Sequence, residues 1–397
     1  MNKEVFNLIA RGDFTCLGSG CSRDCCHGWD FIEVDKETVG KWNNVTDQAD
    51  KSMLSGFLKQ QEDGAPVMNT TADKVCLALD GKKLCSIQGK FGHEYISETC
   101  REFPRLEYHN KFRDYNTASL SCPDIVERAL FNSDSAELFS IEDEKPEVSN
   151  NSGNDELLAA LDLLLSEILD LDDNPVGNIL FFVSDIFSDV INNLSMGMVS
   201  ESDIRNLRIN VADYLADIKK AVKQGKIKPN PVTSGSYWKT IHNYCKSRGV
   251  KTEFLEESDS VLERAINHCD DSFSGYSKIY SVIKQYRKKS NKQVKQKYNS
   301  LLRKYIKLLF INKGFPLAPK SALSLVLVEC MINVSVLQFL IWTEVNKNGE
   351  ITDKFLKECI VEVDRKFVQG NVLVKTLEQD GYMSQIEKYC NSFLDIF

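Results

Sequence analysis

The stretch Cys16–Phe31, CLGSGCSRDCCHGWDF, sets Cys16, Cys21, Cys25 and Cys26 within eleven residues. Apolar periodicity is weak there, so the fold of this part of the chain depends on what the thiols hold. Three answers are open: a web of disulfides, a zinc ion, or an iron–sulfur cluster. Gly18, Gly20 and Gly28 stand among the thiols and let the backbone turn tightly and come close to a metal or sulfide. Loops rich in backbone N–H groups also suit anionic clusters.

Moving outward, the chain has 397 residues and 13 cysteines. Cys76, Cys85, Cys100 and Cys122 complete a set of eight in the first third. Cys245, Cys269, Cys330, Cys359 and Cys390 are far apart in helical contexts and read as small core-filling hydrophobes. The amino terminus, MNKEVFNLIARGDFTC, lacks the cleavage pattern of a secretory leader. A cytoplasmic location is therefore expected, where disulfides are rare and thiol clusters bind metal. Structural zinc sites favour pairs of ligands two to four residues apart, typically C-x2-C. No C-x2-C occurs here, and the gaps between successive cysteines of the first eight run from none to 49 residues. Zinc and iron–sulfur both remain open on spacing, with a lean toward the cluster, which tolerates scattered all-thiolate ligation. Adjacent Cys25 and Cys26 are expected to diverge in a turn, one to a metal and one to packing.

Net charge is −8, which argues against general nucleic-acid binding. The most apolar segment, Ala322–Trp342, carries Glu329, Asn333 and Gln338. A mid-span carboxylate is costly in a bilayer, so a buried helix is expected and no membrane partner. The polar run Glu142–Asp155 reads as a linker. After it, NDELLAALDLLLSEILDL and several later segments place apolar residues at helical intervals. The expected architecture is mainly α: a loop-rich cysteine-cluster module (1–140), a linker (141–155), and an α-helical domain (156–397) against which the module packs. Within the helical part, Tyr276–Lys313 holds twelve of the 49 basic residues and no Asp or Glu. A solvated helix face explains such a run. A docking surface for an acidic partner, through Lys288, Lys289, Lys292 and Lys295, is the functional alternative.

The motifs FTCLGSGCSRDCCHGWDF, CLALDGKKLCSIQGKFGHEYISETCREFPR (Cys76–Arg105) and SLSCPDI (Ser119–Ile125) resemble those of the flagellin lysine-N-methylase family, the FliB-like proteins. The resemblance implies an S-adenosylmethionine-dependent methyltransferase that acts on lysine ε-amino groups of flagellin and depends on a [4Fe–4S] cluster. It also implies the ligands: Cys21, Cys25, Cys85 and Cys100 first, then Cys16, Cys26, Cys76 and Cys122. The glycine-rich loop of common methyltransferases and the C-x3-C-x2-C of radical enzymes are both absent; Gly28 stands where the third cysteine of the latter would be. A lysine attacks a methyl sulfonium only as the neutral amine, and its ordinary pKa is about 10.4. A proton acceptor or burial must therefore help. His27, Tyr95, Tyr108 and Tyr115 are candidates for that role. Arg101 and Arg105 are candidates for the carboxylate of the methyl donor, with a structural salt bridge as the plainer explanation. Trp29 and Phe31 are expected in the core. A metal-binding interaction protein without catalysis is the alternative function.

Overall fold

Asp35 begins the first ordered helix because its carboxylate accepts the N–H of Thr38 at 2.8 Å, satisfying one of the free amides of a helix start. The computed structural model in which this is seen describes residues 3–29, 31–61, 63–109, 113–132, 137–144, 161, 163–165, 167–169, 175–195, 198–247, 250, 261–314, 320–368 and 392–393. Within them the chain is mainly α-helical and forms two compact units. One contains Asn7–Glu107 and Asn116–Phe139; the other contains Met1–Phe6, Tyr108–Tyr115 and Ser140–Phe397.

In the first unit α1 (Lys36–Asn43) and α2 (Gln48–Gly56) are followed by an antiparallel pair, β2 (Leu58–Gln60) and β3 (Pro66–Met68), in which Leu58 faces Met68. Two short helices, α3 (Ser86–Phe91) and α4 (Glu98–Glu102), come next, and α5 (Pro123–Val126) later. Their core is Ile32, Val34, Trp42, Leu54, Met68, Cys76, Ala78, Ile87 and Ile96. Ile32 and Val34 point inward from a short extended run, in which Glu33 bridges to Val67. Extended backbone alternates its side chains, so Phe31 faces outward at 49% exposure, against the expectation that it is core. Trp29 does pack on the core and meets Phe103 edge-on, ring centres 5.5 Å apart. Strands β1 (Lys3–Leu8), β4 (Arg105–His109), β5 (Arg113–Ala118) and β6 (Phe139–Glu144) form a sheet in the order β4–β5–β1–β6, and the chain passes between units along them. The stretch read as a linker thus begins inside β6; residues 145–155 lie outside the described set, as does Cys390.

The second unit is a bundle of α6 (Val176–Ser195), α7 (Glu201–Lys223), α8 (Pro231–Ser247), α9 (Val261–Asn267), α10 (Phe273–Gln293), α11 (Asn299–Asn312), α12 (Lys320–Asn348) and α13 (Asp353–Val363). Single π-helical turns, Val294–Tyr298 and Asp364–Val368, follow α10 and α13. Helix α12 is apolar nearly all round, the signature of a helix enclosed by others. Its span Val326–Asn348 is long and apolar enough for a bilayer, but 94% of its most apolar window is buried inside the protein. Two of its polar residues have internal partners. Glu329 pairs with Lys313 at 2.5 Å, and Ser335 shares a hydrogen bond with Tyr237 at 2.6 Å. Gly235 lets α8 approach α10, because a Cβ there would lie 2.1 Å from the carbonyl oxygen of Tyr276. Cys245, Cys330 and Cys359 are buried, as core-filling thiols should be, and Cys269 is partly buried.

Candidate metal centre

The eight early cysteines all fall in the first unit. Their loop is shaped by local hydrogen bonds. Gly18 and Gly28 take positive φ, +54° and +86°, where a side chain would be strained. The N–H of Gly18 donates to Cys16 Sγ at 3.4 Å. Asp24 Oδ1 accepts the N–H of Cys26 at 3.1 Å and also contacts His27 Nδ1 at 2.6 Å. Asp24 is thus the residue that orients His27, and it fixes the turn that holds the cysteine pair.

Backbone pairing then carries the loop to thiols far away in sequence. The N–H of Cys76 donates to the carbonyl of Cys26, and that of Gly28 to the carbonyl of Lys74, both at 2.9 Å. Between Cys76 and Cys85 the chain doubles back. Asp80 Oδ1 accepts the amides of Lys82 and Leu84 at 2.8 and 2.9 Å, and Leu79 bridges Cys85. Cys85 ends up immediately before α3. Cys100 sits in the first turn of α4, where Ser97 caps its N–H. Asp35 also accepts the N–H of Glu98 at 2.8 Å, which fastens α4 to the start of α1. Those bonds hold the Asp35 carboxyl at about 2, although burial opposes the shift.

The thiols act on one another. Cys26 packs against the core while Cys25 is exposed, and the interaction with Cys25, then burial, then the charges of Cys25, Cys76 and Cys85 drive the Cys26 thiol far above its ordinary range. Burial raises Cys76, and Cys85 and Cys25 add to it. Burial pushes Cys100 up to about 12, with Cys25, Cys76 and Cys85 adding to it. Cys25, Cys26, Cys76, Cys85 and Cys100 thus share one electrostatic neighbourhood. Cys122, raised to about 11 by burial, feels Cys21. Of the four ligands the resemblance put first, Cys25, Cys85 and Cys100 fall in the group of five, and Cys21 acts on Cys122.

Cys26, Cys76 and Cys100 are thus all raised above the ordinary thiol range. Becoming thiolates together requires positive charge among them, which a soft metal centre supplies. The donor chemistry of the five therefore fits an all-thiolate centre. In this conformation, among the described residues, no group of three or more His, Cys, Asp and Glu side chains is drawn closely enough to hold a metal ion.

The other candidates have structural partners. Arg101 donates to the carbonyl of Ile96 at 2.7 Å, and Arg105 lies over the Phe14 ring at 5.6 Å. Tyr95 packs on the core beside Phe91, and its carbonyl accepts the Trp42 indole N–H at 2.8 Å. Tyr108 and Tyr115 belong to the helical unit. Tyr108 donates to the carbonyl of Asn312 and is raised to about 12 by burial and Asp364. Tyr115 is buried against Phe6, ring centres 5.0 Å apart. Lys288, Lys289 and Lys292 are exposed on α10; the Lys295 side chain lies outside the described set. Asp24, Asp35, Asp80 and Ser97 were not read from the sequence as shaping residues. Aspartate or serine three residues before Thr38 and Cys100, and the Asp80–Gly81 turn pair, were the available signals.

No protein-family model matches the chain, and no solved structure matches it. Curated proteins do. A lysine-N-methylase of Salmonella choleraesuis (strain SC-B67) is 33% identical over 129 residues, 32% of either chain. Flagellar biosynthetic protein FliU of Salmonella muenchen is 33% identical over 129 residues, 32% of this chain and 76% of FliU. A lysine-N-methylase of Salmonella typhimurium (strain LT2) is 32% identical over the same length. The match spans about a third of the length of these lysine-N-methylases.

Proposed function

From the premise that the chain belongs to the FliB-like lysine-N-methylase family, we propose that it is a protein-lysine methyltransferase whose substrate is a flagellar protein, flagellin. In this reading S-adenosylmethionine is the methyl donor, and Cys25, Cys26, Cys76, Cys85 and Cys100 supply the ligands of a [4Fe–4S] cluster. The observation that supports the metal part is the gathering of these thiols: the Cys76 amide bonds the Cys26 carbonyl, Leu79 bridges Cys85, and Cys26, Cys76 and Cys100 are raised in part by Cys25 and Cys85, a state that a bound cationic centre relieves. A cubane cluster takes four thiolates, so one of the five stays a thiol; the Cys25–Cys26 pair is where that choice falls.

When bound, the donor supplies an electrophilic methyl group. The chain must present the lysine as a neutral amine, and so must desolvate it or accept its proton. His27, whose Nδ1 contacts Asp24, is the candidate in this reading for the second task.

The test uses protein purified anaerobically, labelled S-adenosylmethionine and flagellin. Iron and acid-labile sulfide in the protein, with label appearing on flagellin lysines, is the expected result. Stoichiometric zinc without sulfide in protein never exposed to air overturns the cluster. Cluster-loaded protein that transfers no methyl group overturns the enzyme and leaves a metal-binding interaction protein.

A further inference from the structure

Helix α10 carries a face that the bundle does not use. Ile279, Val282, Ile283, Tyr286 and Ser290 are buried, and α10 packs on α8 and α12. Away from that side, Lys284, Lys288 and Lys292 recur at every fourth residue with Lys289 beside them, all exposed. Residues spaced by four lie on one helical stripe, here about 12 Å long. No described carboxylate makes an ion pair with any of the four, whereas Lys297 pairs with Asp353 and Lys313 with Glu329. Four unneutralised cations within one helix length are destabilising by mutual repulsion in a chain whose net charge is −8. An acidic segment laid along the stripe removes that repulsion.

We propose that the stripe Lys284, Lys288, Lys289 and Lys292 docks an acidic segment of the protein substrate; the partner's identity rests on the methylase reading, the docking itself does not. A short acidic segment senses only the nearby stripe, because charges beyond the Debye length of about 8–10 Å are screened. Nucleic acid and anionic membranes are extended polyanions and also meet the acidic remainder of the chain, so they fit less well.

The experiment compares the full chain with Lys284→Glu/Lys288→Glu/Lys292→Glu, and with Lys220→Glu/Lys223→Glu/Lys226→Glu, an equal change of charge at exposed positions on and just after α7. Thermal unfolding checks that all three fold. Binding of fluorescent polyglutamate is followed by anisotropy at low salt and at about 1 M salt. The α10 reversal should weaken low-salt binding at least about tenfold and lose its salt dependence, while the α7 reversal changes it less than about threefold. With flagellin, the α10 reversal should raise the apparent KM at unchanged kcat. Equal loss in both variants, no polyglutamate binding by the parent, or tighter binding of a single-stranded oligonucleotide or of phosphatidylserine vesicles overturns the proposal. Polyglutamate binding without any methyl transfer overturns the methylase reading alone.

Discussion

Cys26 and Cys245 are both thiols held far above their ordinary range, for different reasons. Cys245 is raised by burial alone, inside a helix whose neighbours are apolar. Cys26 is raised by its interaction with Cys25, by burial and by the thiols around it. In the helical unit a cysteine is a small hydrophobe and any residue of similar volume serves. In the loop unit the cysteines are defined by one another, and apolar burial is confined to a small core beneath them. The difference teaches that the two units should respond to different insults: one to lost volume, the other to the loss of any thiol from the group.

The sharpest way to break this contrast is to remove a thiol from each. Cys85→Ser or Cys100→Ser should abolish most bound iron and destabilise the first unit, since binding energy at a metal site is also folding energy. Cys330→Ala should leave the iron intact and cost about 1–3 kcal/mol of cavity energy. Cys21→Ser should retain the cluster, because the group of five suffices. Iron and sulfide analysis with thermal unfolding reads all of these; full iron in Cys100→Ser removes that residue from the ligand set.

Next in size is Gly235→Val. The added Cβ meets a backbone oxygen at 2.1 Å, so α8 and α10 must separate, at a cost of about 3 kcal/mol or more. The loss should appear in denaturant unfolding with no change in iron content. A mild effect would show that the helices slide apart easily.

Asp35→Ala tests the first unit without touching a thiol. Its carboxylate accepts bonds from Thr38 and Glu98 and titrates near 2, below its ordinary 3.8. A lowered carboxyl pKa gives stability that is present above about pH 4 and lost as pH falls through about 2. With solvent screening allowed for, the contribution is about 1–2 kcal/mol. Acid titration should therefore destabilise the parent more than the variant within that window. Parallel acid curves would remove Asp35 from this role.

The smallest effect concerns Asn333 on α12, fully buried with neither amide atom hydrogen-bonded. Asn333→Leu should raise stability by about 1–2 kcal/mol, since a buried unsatisfied polar group is costly. A loss of stability would show that the amide has a partner in solution.

The helical unit was legible because its rules are local. Polar residues at 329, 333 and 338 ruled against a span, and the period of apolar residues gave the helices. The thiol grouping was not legible. Cys26 and Cys76 are 50 residues apart in sequence, and backbone pairing brings them together. Phe31 was misread because hydrophobicity was weighed without the two-residue alternation that sends Ile32 and Val34 inward instead.

The pairing of Cys26 with Cys76 has a consequence for synthesis on the ribosome. The thiols are made in an order that leaves the group open for a long time. Closing the 49-residue loop costs chain entropy that grows with its logarithm, and the short Cys76–Cys85 turn closes far more readily. Until α4 has emerged, Cys100 is missing and Asp35 has no Glu98 amide to fasten. A nascent chain therefore presents Cys16, Cys21, Cys25 and Cys26 to the cell as an unfinished, reactive cluster for several seconds at translation rates of about 5–20 residues per second. On the metal-centre reading, delivery of metal would be timed to the appearance of residue 100 rather than to the first cysteines.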